Sequence, residues 1–146
     1  MTDPMTEPMT LEDVLALEEA TALRLKELVG LTVGDLHPKR PELTVRTARD
    51  VRTVPVPPAL AATLRAKVLG ARPHEPLFVI DGKALTMDRF RQWVRRNGNA
   101  YNFSDLRRSA IGDLLGSRPP AEVSAMLGHK SVDVTMSVYD PRGGER

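Results

Sequence analysis

The sequence contains no cysteine and few aromatics: one tryptophan, two tyrosines and three phenylalanines among 146 residues. Without thiols there is no disulfide framework, no thiolate metal site and no cysteine nucleophile. Apolar runs are short, and none approaches the ~20 residues of a membrane-spanning helix. The first 23 positions hold no basic residue, so the start reads as neither a signal nor a transit peptide. Its repeated Met-Thr-(Asp/Glu)-Pro reads as a disordered lead-in over residues 1–10. The expectation is a soluble, cytoplasmic protein.

What is present suffices for a core: 41% of residues are hydrophobic and 27% charged, as in an ordinary globular domain. One domain is expected over residues 11–140, with a short tail over 141–146. Charge is unevenly placed. Residues 1–23 carry six acids, whereas the remainder carries 21 bases against 13 acids, and 16 of those bases are arginine. The guanidinium fork suits phosphate, so the basic part points to a polyanion. A GC-rich coding sequence would produce the same arginine excess with no partner at all.

Thr10 with Asp13 forms a capping-box pattern, and the leucine and valine spacing predicts one helix over Leu11–Val29, closed by Gly30. Leu43–Val45 and Val51–Val56, β-branched and separated by a polar turn, predict a hairpin. Pro57-Pro58 opens a helix to about Leu69. Leu77–Ile80 is a brief apolar run ending in the turn pair Asp81-Gly82. Helices follow over Thr86–Asn97 and Phe103–Gly116, Pro119-Pro120 opens a short helix ending at Leu127-Gly128, and Val132–Tyr139 forms the last turn or two. The fold class is α+β, mostly α, with helices packed around a small antiparallel sheet.

Four segments in order resemble the catalytic domain of tyrosine recombinases, the phage integrases. Thr21-Ala22-Leu23-Arg24-Leu25-Lys26-Glu27-Leu28 is similar to the family's Thr-Gly-Leu-Arg-x-x-Glu-Leu box, with alanine in the glycine's place. The hairpin leading into Arg52-Thr53-Val54-Pro55-Val56 is the second. Ser104-Asp105-Leu106-Arg107-Arg108 is the third, against His-x-x-Arg. Leu127-Gly128-His129-Lys130-Ser131, followed by Tyr139, is the fourth. The resemblance covers about Leu15 to Asp140 and implies DNA cleavage and rejoining through a 3′-phosphotyrosine. Tyr139 would be the nucleophile. Arg24, Arg107 and His129 would hold the scissile phosphate, and Glu27, one helical turn beyond Arg24, would orient it by an ion pair. No cofactor and no metal is implied. Double-stranded DNA is the implied partner, with self-association on it. Taken singly, each residue also reads plainly: Arg24 and Glu27 as a solvated helix pair, His129 as a turn residue, Tyr139 as a packing side chain.

Departures accompany the resemblance. Ser104 stands where the family has histidine; it can donate a hydrogen bond but is no base near neutrality, and it also reads as a helix N-cap. The hairpin carries no lysine; Arg46 occupies that place, and a guanidinium rarely gives up its proton. Family members usually carry a separate N-terminal helical domain that closes a clamp around DNA, whereas about ten residues precede the first expected helix here. On the Thr86–Asn97 helix, Phe90, Trp93 and Val94 form an apolar stripe. Arg89 and Arg96 flank it on one side and Arg91 and Arg95 on another, a pattern suited to holding phosphates. Arg49 in the hairpin turn is counted with them. The rival to the enzyme is a DNA-binding regulator or remnant on the same fold. An RNA-binding protein would explain the charge but none of the four segments.

Overall fold

The computed structural model describes residues 7–97, 100–129 and 131–138. Met9 is buried in the core just ahead of α1 (Leu11–Thr21). Thr10 caps this helix: its Oγ1 accepts the Asp13 amide at 3.3 Å, and the Asp13 carboxylate accepts the Thr10 amide at 2.8 Å. Lys67 closes on the same carboxylate at 2.7 Å.

The single helix expected over Leu11–Val29 is two. Ala22 adopts the left-handed conformation (φ 52°, ψ 36°), its amide completing the last turn on the Glu18 carbonyl at 2.8 Å. Leu23 then drops into the core and Arg24 turns extended, so that α2 (Leu25–Val29) starts afresh. Left-handed geometry costs an alanine about 1–2 kcal/mol. Full burial of Ala22 and Leu23, and a hydrogen bond from Arg107 to the carbonyl that the break frees, offset it.

A 3₁₀ turn (Val33–Asp35) leads to the hairpin of β1 (Glu42–Arg46) and β2 (Val51–Pro55), antiparallel, with Leu43 opposite Val54 and both side chains fully buried. Next comes α3 (Pro58–Lys67). The Leu77–Ile80 run forms a second, two-residue hairpin, β3 (Val79–Ile80) against β4 (Lys83–Ala84). Its turn is Asp81-Gly82 with φ 55° and 78°, the pair of positive φ values that tight hairpins need.

Four further helices follow among the described residues: α4 (Met87–Asn97), α5 (Phe103–Ser117), α6 (Pro120–Leu127) and α7 (Val132–Val138). Thr86 caps α4 by accepting the Arg89 amide at 3.1 Å. The stripe of α4 is buried as its spacing predicts, with Phe90 stacked on Trp93 at 5.9 Å and Phe103 edge-on at 6.1 Å. The architecture is α+β and mostly helical, with two small antiparallel sheets among the described residues, and Leu43, Val45, Val54 and Ile80 from them enter the one apolar core.

Candidate active site

Arg24, Arg91, Arg95, Ser104, Arg107 and Arg108 line one open cavity of about 1260 Å³, together with Tyr101 and Phe103. The break at Ala22 builds it. Arg24 emerges exposed just after the break, and Arg107 on α5 donates its Nε–H to the Ala22 carbonyl at 2.8 Å. Two guanidinium groups from distant parts of the sequence thereby reach the same space.

Glu27 does not pair with the Arg24 side chain as expected. Its Oε1 accepts the Arg24 backbone amide at 3.0 Å, fixing the start of α2, while its carboxylate takes both terminal nitrogens of Arg52 at 3.0 Å each. The cause is geometric: Arg24 precedes α2 in extended conformation, and Arg52 on β2 presents a fork that matches the carboxylate. Arg52 also donates its Nε–H to the Met126 carbonyl at 2.7 Å. It ties α2, β2 and the end of α6 together, a role that sequence reasoning missed. Burial raises the Glu27 carboxyl pKa, but the hydrogen bonds from Arg52 and the Arg24 amide, with the charges of both arginines, outweigh it and leave the pKa lowered.

Gly128 ends α6 in left-handed conformation (φ 73°), and a Cβ there would lie 2.9 Å from Arg52 Nη1. The turn delivers His129, whose amide is held by the Ser124 carbonyl at 3.0 Å. Its Nδ1 lies 2.8 Å from Thr135 Oγ1, which lies 2.6 Å from Ser124 Oγ; the Thr135–Ser124 contact is buried. Burial, then the charges of Arg107, Arg24 and Arg52, lower the His129 pKa, with Glu27 opposing. Neutral imidazole is therefore favoured. When Ser124 donates to Thr135 and Thr135 to Nδ1, the proton of the neutral ring sits on Nε2. Arg107 has its pKa lowered by burial, opposed by Glu18, and stays charged because a guanidinium does not deprotonate in this setting.

The other sequence-derived positions divide. Ser104 lines the cavity, exposed in the first turn of α5, but it is not the cap: Asn102 Oδ1 accepts the Asp105 amide at 2.9 Å, because the helix starts one residue ahead of Ser104. Arg46 is turned to Asp35 at 3.3 Å, on a separate small cleft. Arg49 is exposed at the hairpin tip. Arg91 and Arg95 face the cavity, whereas Arg89 is spent on the Ile80 carbonyl at 3.0 Å and the Asp81 carboxylate at 3.2 Å. Arg96 is exposed and is not among the cavity-lining residues. Arg108, also on the cavity, was not singled out from sequence. Tyr139 lies outside the described residues, as does Lys130. Among the described residues no cluster of three or more histidine, aspartate and glutamate side chains is placed to hold a metal ion. No helix among them is long and apolar enough to cross a membrane.

The model of the phage integrase family matches residues 2–142. The chain belongs to the phage integrase family. No curated protein sequence matches it significantly. Among solved structures, the fold is similar to XerA recombinase (TM-score 0.67, 17% identity, 98% of this chain and 65% of that one). It is similar to lambda integrase, solved as a tetramer bound to a Holliday junction (0.68, 18%, 91% and 43%). It is also similar to XerH site-specific recombinase bound to its difH substrate (0.66, 18%, 92% and 44%). The fold is thus that of the tyrosine-recombinase catalytic domain, and this integrase-family chain spans under two thirds of the length of each of these three proteins.

Proposed function

We propose that this chain breaks and rejoins duplex DNA through a 3′-phosphotyrosine on Tyr139. The convergence of Arg24 and Arg107 on one arginine-lined cavity carries this reading. In the proposed step the Tyr139 oxygen attacks phosphorus as its phenol proton passes to solvent, the bond to the 5′-oxygen breaks, and that oxygen takes a proton from solvent and leaves as a hydroxyl. The non-bridging oxygens gain charge in the transition state, where Arg24 and Arg107 stabilise it with preorganised cationic donors. His129 adds an Nε2–H donor from a neutral ring. Arg91, Arg95 and Arg108 hold neighbouring phosphates, which fixes the register of the duplex without reading its bases. Self-association on DNA belongs to the same reading, in line with the tetramer of lambda integrase.

One observation favours the rival reading of a DNA-binding regulator. Among the described residues that line the cavity none is a lysine, a histidine or a carboxylate: His129 stands outside that lining at the turn after α6, and Arg46 is turned to Asp35, so cleavage is expected to be slow. The test incubates wild type and Tyr139→Phe with supercoiled DNA carrying the sequences that flank the gene, quenches in SDS, and measures retained protein and non-covalent binding together. A Tyr139-dependent adduct with binding intact in both proteins supports the enzyme. Equal binding with no adduct from either protein, even on nicked substrates that trap the intermediate, supports the regulator.

A further inference from the structure

Glu18 sits on the core-facing side of α1, fully buried, and neither of its carboxyl oxygens has a hydrogen-bond partner among the described residues. Burying a carboxylate without partners is among the costliest arrangements a core contains. The charges that reach it are Arg107 of α5, which favours the anion, and Glu27 of α2, which opposes it. Arg107 is incompletely satisfied too. Its Nε–H is spent on the Ala22 carbonyl, but its Nη2 is buried with no hydrogen-bond partner among the described residues. Ala22 stands one helical turn beyond Glu18, its amide bonded to the Glu18 carbonyl. An unsatisfied acid on α1 and an unsatisfied guanidinium nitrogen on α5, within electrostatic reach of each other, are thus both buried where the two helices pack together.

Resting on the phosphate role given to Arg107 above, we propose that Glu18 is a positioning residue for Arg107, an internal rival to DNA phosphate. Ionised, it draws the guanidinium inward; protonated, it leaves Arg107 to the cavity. Burial holds the Glu18 carboxyl well above the usual carboxylate range. A phosphate entering the cavity brings more negative charge beside Arg107 and makes ionisation of Glu18 costlier still. DNA binding therefore takes up a proton wherever Glu18 is ionised in the free protein, and affinity falls as pH rises through its titration. The other charged groups reaching Arg107 are Arg24, Glu27 and Arg52, and the hydrogen bonds from Arg52 and the Arg24 amide hold the Glu27 carboxyl below the usual carboxylate range. His129 titrates nearby and contributes a slope of the same sign. It does so in wild type and variants alike, so their difference isolates Glu18.

The experiment measures affinity for a labelled duplex from about pH 5.5 to 9 at constant ionic strength, the limiting slope for one proton being about tenfold per pH unit. Wild type is compared with Glu18→Gln, Glu18→Met and Arg107→Ala, each checked for folding by circular dichroism. Glu18→Met fills the position with an apolar side chain and keeps the test open if the glutamine variant does not fold. The expected result is a steeper loss of affinity with pH in wild type than in either Glu18 variant, with the variants binding at least about threefold more tightly at the alkaline end. Parallel curves for wild type and the Glu18 variants, with Arg107→Ala weaker throughout, would overturn the role of Glu18 alone. Binding unaffected by Arg107→Ala at every pH would overturn the phosphate reading itself.

Discussion

Arg24 and Arg107 matter because both line the cavity while each is anchored outside it. Arg24 starts α2 through its own amide on Glu27, and Arg107 is pinned by Nε to Ala22. In the proposed step both hold the same scissile phosphate, so each contributes part of its neutralisation. Alanine at either position is expected to weaken DNA binding and to lower the slope of log affinity against log salt by up to about 0.9. Arg89→Ala, whose guanidinium is occupied by Ile80 and Asp81, should leave that slope unchanged; fluorescence anisotropy across a salt series checks all three. His129 depends on its chain of hydroxyls in the same way. Thr135→Val removes the hydroxyl partner of Nδ1 and should cut adduct yield about tenfold or more while sparing binding, whereas Thr135→Ser restores it. Much of this site was legible, since Arg24, Arg107, Ser104 and His129 sit in short recognisable boxes. Arg52 and Glu18 were not. Arg52 finds its partners on α2 and at the end of α6, far along the chain, and Glu18 lies at a spacing that a helical pattern assigns to leucine.

Among the elements, the two tight turns decide where functional side chains emerge. Ala22 adopts positive φ without being glycine, so Ala22→Gly should stabilise the protein by about 0.5–1 kcal/mol, read as a higher urea midpoint. An unchanged or lower midpoint would mean that the methyl group's burial outweighs the strain. Gly128→Ala should do the opposite, losing about 2 kcal/mol or more. Besides the left-handed strain, its Cβ would meet an Arg52 side chain that three hydrogen bonds prevent from yielding. These turns also explain what the sequence conveyed of the fold. Thr10, Thr86, Pro120 and Gly128 mark their helix ends by local chemistry, and the structure follows them. The break at Ala22 carries no such mark: apolar spacing continues across it, and what ends α1 is a contact with α5, which no local window contains. For the same reason Ser104 read as a cap when Asn102 does that work.

For the molecule as a whole, ionisations of opposite preference should shape stability against pH. Glu27 and His129 have lowered pKa values in the folded state, so their contributions are present above the unfolded-state values and are lost as pH falls through the folded ones. Glu18 has a raised value; its contribution is complete below the unfolded carboxylate value and is lost as pH rises through the folded one. Urea midpoints should therefore peak between these limits, and Glu18→Gln should flatten the alkaline side while leaving the acid side in place. The arginine excess, the acidic start and the four boxes all converge on one basic cavity in a chain that spans only part of the length of its structural relatives. Whether that cavity serves strand exchange rests on one covalent bond, and the sequence holds only two tyrosines able to form it, Tyr101 and Tyr139. The most direct measurement traps protein on nicked duplex DNA, digests the adduct with nuclease and trypsin, and locates the nucleotide by mass spectrometry. The account predicts a nucleotide mass on Tyr139, in the peptide spanning residues 131–142. A nucleotide on Tyr101, or unmodified tyrosines in protein that binds the duplex well, would contradict it.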